Sequence, residues 1–234
     1  MISRRDVINK MLESYKTIID EIETCIVKKK SKFICTLKHV KSEEEALDFI
    51  QKMKKKYYDA RHNCSAFIIG ADYKLERSSD DGEPSGTAGK PMLEVLRGEK
   101  ITNVVAVVTR YFGGTLLGTG GLIKAYTESV QSSLEVAQVY TYKLYEMVKI
   151  GIEYTQLPKM EFALRKAGQI IHQIDYSDSI TMTILFDMAM REKMKKQIIE
   201  ITSGKCKYSV EGNCYSTVIK GERDIVDQFI CNSK

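Results

Sequence analysis

Val104-Val105-Ala106-Val107-Val108 is the stretch that leaves this chain the least freedom. Five apolar residues in a row, four of them β-branched, are too few for a buried helix. They are also too apolar for a strand with one wet face. Asn103–Arg110 therefore predicts a central strand covered on both sides. The next segment is just as restrictive. Tyr111–Gly121 carries Gly113, Gly114, Gly118, Gly120 and Gly121, a composition that predicts a glycine-rich loop over Gly113–Gly121. Leu122–Val139 then places Ile123, Tyr126, Val130, Leu134 and Ala137 near one stripe, as a long amphipathic helix does. Buried strand, glycine loop and helix in succession define a mixed α/β (α+β) chain.

The flanking sequence is consistent with that class. Ile18–Val27, Ser31–Val40 and Cys64–Ala71 have the β-branched and apolar content of strands. Ser42-Glu43-Glu44-Glu45 has the spacing of a capping box. It predicts a helix to about Lys56 whose basic end suits the helix dipole. Lys28-Lys29-Lys30 reads first as a solvated turn and only second as a phosphate contact. Ser3–Leu12 suits a short polar helix, and Pro91–Leu96 a helix with Pro near its first turn. From Lys143 the order changes to strand (Lys143–Glu153), helix (Leu157–Ala167), strands (Gln169–Tyr176, Ile180–Asp187), helix (Arg191–Ile201) and strand (Lys207–Lys220). That β-α-β-β-α-β succession is ferredoxin-like. With 234 residues, two domains fit. The expected division is an N-terminal extension over 1–14, one domain over 15–140 and a second over 141–234, joined near Val139–Lys143.

Composition removes several function classes. No apolar stretch approaches the ~20 residues of a membrane span, and Met1–Lys10 has no apolar core of a secretion signal, so a cytoplasmic protein is expected. The 6 Cys form no C-x-x-C pair and the 3 His are scattered, so neither a zinc site nor a disulfide is expected. Cys64 in His62-Asn63-Cys64 reads as a nucleophile beside a base or as an ordinary buried thiol. The second is preferred, since a free Cys is among the most often buried residue types. The net charge of +5 is spread over both halves and permits nucleic-acid contact without demanding it.

Two loops hold the candidate chemistry. The first, Ser79–Lys90, gathers Asp80, Asp81, Glu83, Ser85 and Thr87 among glycines. Carboxylates and hydroxyls so placed can hold Mg²⁺, accept from an Arg, or bond their own backbone as a polar turn. The second, Thr109–Gly121, leaves the buried strand and opens the helix. Amides at the helix start, with Arg110, Tyr111, Gly113, Gly114, Gly118, Thr119, Gly120, Gly121 and Lys124, make a candidate anion site. A Walker loop from Gly113 would need Lys where Thr119 stands. A dinucleotide fingerprint from Gly118 would need Gly where Ile123 stands. No cofactor is therefore expected. Arg110 could equally pair with Asp80, Asp81 or Glu83, which would make both loops structural.

These same segments carry a resemblance. His62-Asn63-Cys64, Ser78 through Gly89, Val108 through Gly114 and Leu117-Gly118-Thr119-Gly120-Gly121-Leu122 resemble the signature of the YigZ/IMPACT family, over roughly residues 15–234. The resemblance implies an N-terminal domain like domain two of small-subunit ribosomal protein five and domain IV of elongation factor G. It implies a ferredoxin-like C-terminal domain similar to domain V of that factor. Eukaryotic relatives regulate translation by binding the activator of a starvation-responsive initiation-factor kinase. They carry a different N-terminal accessory domain, so that particular partner does not transfer to this chain.

The residues support two functional readings. One is a non-enzymatic, translation-associated protein binding RNA, the ribosome or a protein partner, with no DNA sequence specificity and no membrane. Lacking an RRM-type stacking platform, it would contact mainly phosphates. The other is an enzyme acting on a phosphorylated or carboxylated small molecule, with His62 as base, Asp80, Asp81 and Glu83 as metal ligands or acid/base groups, and Arg110 with Lys124 as anion holders. No nucleophile–base spacing supports catalysis, so the first is preferred and no catalytic residue is assigned.

Overall fold

The structure is a computed structural model that describes residues 12–219 and 221–229; the expected helix over residues 3–12 lies almost wholly outside them. The chain divides into two compact units, one of residues 14–141 and the other of residues from 142 onward together with the segment before Ser14.

The first unit is built on β1 (Ser14–Ile18), β2 (Ile22–Lys28), β3 (Ser31–His39), α1 (Glu43–Lys56), β4 (His62–Ile69), β5 (Leu75–Ser79), α2 (Gly89–Gly98), β6 (Val104–Tyr111) and α3 (Gly118–Val136). Its sheet runs β2-β3-β6-β4-β5 with every neighbouring pair antiparallel. The expected central strand is therefore β6, and side-chain alternation explains its unbroken apolar run. Val104, Ala106 and Val108 pack with Met92, Leu96, Tyr126 and Val130 of α2 and α3, while Val105 and Val107 pack with Phe49, Ile50 and Met53 of α1. Helices on both faces of an antiparallel sheet bury the strand as thoroughly as a parallel arrangement would.

Several local expectations need correction. The strand expected over Ile18–Val27 is two strands, broken between Ile18 and Ile22. Gly118–Gly121, expected in the loop, form the first turn of α3. This shifts the buried stripe to Leu122, Ala125, Tyr126, Ser129, Val130 and Ser133 and leaves Ile123 exposed. At α1 the Ser42 Oγ accepts from the Glu45 amide at 3.2 Å, but the Glu45 carboxylate accepts from the Lys41 amide at 2.8 Å, one residue ahead of the box position. The β2–β3 turn is a two-residue loop, Lys29-Lys30, between the paired Lys28 and Ser31. Its φ values of 46° and 66° fall in the left-handed region.

The second unit contains β7 (Val139–Ile152), α4 (Leu157–Lys166), β8 (Ile170–Tyr176), β9 (Ile180–Asp187), α5 (Arg191–Thr202), β10 (Lys207–Ile219) and β11 (Glu222–Phe229). The order read from the sequence is present, with β11 added. α3 ends at Val136 and β7 begins at Val139, so no long loop separates the two halves. The sheet order β11-β10-β7-β9-β8 places β9 between β7 and β8, antiparallel to both, which makes α4 a split crossover. Met160 and Leu164 of α4 and Met194 and Ile198 of α5 pack on Val148, Ile150, Met182 and Ile184. In this unit the Leu144 amide donates to the Glu13 carbonyl and the Tyr215 hydroxyl to that of Leu12.

Candidate functional site

The register of three strands assembles the site. β4 starts where β6 ends, so His62 lies opposite Arg110, while β3 places Phe33 opposite Arg110 and Lys32 opposite Tyr111. Arg110 and Phe33 share the face that meets α3. The guanidinium stands 5.5 Å from the Phe33 ring and 5.8 Å from that of Phe112.

Arg110 is committed to the acidic loop. Its Nη1 lies 2.7 Å from Glu83 Oε1, with side chains 8% and 3% exposed. Glu83 Oε1 also accepts from the Tyr126 hydroxyl at 2.8 Å. Of the three carboxylates considered for Arg110, Glu83 is thus the partner. The Arg110 Nε is buried without a hydrogen-bond partner, so its donor capacity is not exhausted.

The other two carboxylates serve the loop itself. Asp80 accepts from the amides of Gly86 (2.8 Å), Ala88 (3.0 Å) and Gly89 (2.8 Å). Burial pushes its carboxyl up, but the three amide bonds outweigh that and hold it below the ordinary value. Asp81 pairs with Lys54 at 2.6 Å and accepts from the Asn63 amide at 2.7 Å, while its carbonyl lies 3.0 Å from His62 Nδ1. Thr87 is buried with its hydroxyl donating to the Pro84 carbonyl at 2.6 Å, and Ser85 is exposed. The polar-turn alternative thus describes Asp80 and Thr87. Among the described residues no group of three His, Cys, Asp or Glu is placed to hold a metal ion.

Cys64 is an interior thiol. Its Sγ lies 3.0 Å from the Asp80 carbonyl and 3.3 Å from the Tyr126 hydroxyl, and burial pushes it up to about 12. His62 points instead to the Asp81 carbonyl, so the two side chains are not a nucleophile–base pair. Burial also raises the Tyr126 phenol far above its usual range, keeping it a neutral donor.

Open space lies at this end of the sheet. A cavity of about 660 Å³ is lined by Asp59, Arg61, His62, Arg110, Tyr111, Phe112 and Leu116. Phe112 is 56% and Leu116 81% exposed. Asp59 is engaged by the Tyr111 hydroxyl at 2.7 Å. The glycine loop beside the cavity is fixed where Gly113 meets the β2–β3 turn. A Cβ at Gly113 would sit 2.0 Å from the Lys30 carbonyl carbon, and the Gly113 amide donates to Ser31 Oγ at 3.1 Å. Gly114 and Gly118 take φ of 83° and 74°. Gly114, Gly118, Thr119 and Gly120 are exposed, Gly121 is half-buried, and α3 starts without a side-chain cap or an acidic residue in its first turn. Lys124 is exposed on α3, outside the cavity lining. The structure therefore gathers His62, Arg110 and Tyr111 round one cavity and links Asp81 and Glu83 to them. Ser85 and Lys124 stand apart. Asp59, Arg61 and Leu116 are not singled out by the sequence; the signal for the first two is the step from α1 into β4, whose register against β6 the sequence does not print, and Leu116 belongs to the glycine-rich loop.

Comparison with known proteins adds the family. Residues 29–134 match the Impact N-terminal domain, and residues 150–205 match a domain of unknown function (DUF1949). IMPACT family member YvyE of Bacillus subtilis is 44% identical over 195 residues, 83% of this chain and 90% of that protein. The chain belongs to the IMPACT family. IMPACT family member YigZ of Escherichia coli is 36% identical over 192 residues, 80% of this chain and 90% of that protein. Protein IMPACT homolog of Saccharomyces cerevisiae is 37% identical over 93 residues, 38% of this chain and 35% of that longer protein. A solved structure described as the crystal structure of an hypothetical protein superposes with a TM-score of 0.57 at 34% identity, covering 85% of this chain and 97% of that one. No helix among the described residues is long and apolar enough to cross a membrane.

Proposed function

We propose that this IMPACT family member is a non-enzymatic, cytoplasmic, translation-associated protein that binds RNA, on the ribosome or free, at the end of the β6 sheet. The observation that carries the reading is the cavity in which the exposed cation Arg61 stands with the exposed Phe112 ring, beside His62 and the Glu83-paired Arg110. Cations with an accessible aromatic face are the combination that single-stranded nucleic acid takes up. α3 starts, without a side-chain cap, two residues beyond Leu116 of the cavity lining, and a phosphate is the ligand such a terminus prefers. Family membership supports the link to translation through the yeast and other eukaryotic members. The split β-α-β-β-α-β sheet supports the ferredoxin-like reading of the second unit and its likeness to domain V of elongation factor G. The likeness of the first unit to domain IV of that factor and to domain two of ribosomal protein five belongs to the same reading. A protein partner of the translation machinery would use the same face.

The test is RNA binding at several salt concentrations. Arg61 and Lys124 are exposed and carry no ion pair among the described residues, so Arg61→Ala/Lys124→Ala leaves the fold intact. The log-affinity against log-salt slope is expected to shrink by about 1.4–1.8, following two lost phosphate contacts. A folded double variant with unchanged affinity and slope removes both residues from the RNA account.

A further inference from the structure

Two consecutive lysines in left-handed backbone stand out against every other turn of the first unit. Lys29 and Lys30 form the whole of a two-residue hairpin loop with φ of 46° and 66°. Positive φ at both central residues is the type I′ geometry, in which Asn-Gly is the favoured pair because a Cβ is a liability there. Lysine contributes nothing to this turn that Asn-Gly would not supply at lower cost. Both side chains are exposed and, among the described residues, neither has a carboxylate partner. Lys28 beside them is held by Glu128 at 2.6 Å. The turn is also fixed in place, since Gly113 of the glycine loop presses on the Lys30 carbonyl and bonds Ser31. Positive charge is thus displayed on a rigid tip in contact with the loop that borders the cavity.

The sheet register sets where these charges fall. Across β2-β3-β6-β4 the strand ends bring the exposed Lys29 and Lys30, then Lys32, then, past the Glu83-paired Arg110, the exposed Arg61 to one end of the sheet. Adjacent strands lie about 4.8 Å apart, so four strand ends span roughly 14 Å. A span of that length meets more than one phosphate of a single strand, whereas a small phosphorylated molecule reaches one end or the other. We propose that the Lys29-Lys30 hairpin tip is the second half of the RNA site, a phosphate-binding clamp that makes the ligand a polynucleotide rather than a small molecule. The clamp rests on the RNA reading and specifies its ligand.

The test replaces the tip by the pair its geometry prefers. Lys29→Asn/Lys30→Gly relieves both left-handed residues, so the melting temperature should hold or rise by about 2–4 °C. The probe is a fluorescent oligouridylate of about 20 nucleotides, longer than a typical single-strand site. Its affinity for the variant should fall on the order of ten-fold near physiological salt, with the salt slope smaller by about 1.4–1.8. Lys29→Arg/Lys30→Arg keeps the charge and should keep wild-type binding. A stable Asn-Gly variant with wild-type affinity and slope overturns the clamp while leaving the cavity reading in place. A wild-type protein that does not bind the oligonucleotide sinks both. Polyglutamate that competes as well as RNA of equal length would overturn the assignment to nucleic acid.

Discussion

Removing the charge of Glu83 while roughly keeping its volume, as in Glu83→Met, should leave Arg110 as an unpaired cation in the interior. The pair is 2.7 Å apart and almost fully covered, and Glu83 has a second donor in Tyr126. Breaking such a buried pair from one side costs about 3–5 kcal/mol, because the surviving charge keeps its desolvation penalty without its partner. Arg110→Met, which removes the other partner, should cost a similar amount. The double variant Glu83→Met/Arg110→Met restores neutrality. It leaves chiefly the Tyr126 hydroxyl without its acceptor, a loss of about 1–3 kcal/mol. The two single changes would therefore be strongly non-additive, with the double far milder than their sum. Urea unfolding followed by circular dichroism, with equal slopes across the four proteins, measures the cycle. Single changes costing under about 1 kcal/mol each, as for a surface pair, would refute the buried-pair account. So would simple additivity.

The loops give three further outcomes. Asp80, held below its ordinary value of 3.8 by the amides that outweigh its burial, contributes stability that is complete above that value and is lost as pH falls through its lower folded value. Asp80→Asn should flatten this acid-side loss in urea titrations, and an unchanged acid limb would contradict the amide cradle. Gly113→Ala drives a Cβ into the Lys30 backbone and should destabilise by about 1–3 kcal/mol. Gly120→Ala meets nothing within 4 Å and should stabilise by about 0.4–1 kcal/mol; equal thermal shifts for the two variants would contradict the packing.

The parts of the fold with a period or a continuous apolar run were legible. Val104–Val108 announced β6, the Ser42–Glu45 spacing announced α1, and the second unit's element order was readable to β10. β5 was not, because Leu-Glu-Arg-Ser-Ser at a sheet edge needs no apolar face. The start of α3 was hidden because three glycines in a first turn look like loop, and glycine is a poor helix former. Both loops of the site were visible as composition. Their division of labour was not, since nothing in Asp80-Asp81-Gly82-Glu83 says which carboxylate turns inward. The pairing of His62 with Arg110, which brings Arg61 into the cavity, is a matter of long-range register. The lysine tip was visible as charge, but its meaning depends on a backbone conformation the sequence does not disclose.

Photo-crosslinking to thiouridine-substituted RNA, with the adducts mapped by mass spectrometry, tests the central claim most directly. Bases stacked at the sheet end would lie against Phe112, 56% exposed at the cavity rim. Adducts concentrated on the peptide containing Tyr111 and Phe112, and reduced in Phe112→Ala, are the expected result. Adducts distributed over other surfaces and unaffected by Phe112→Ala would contradict the placement of RNA at this site.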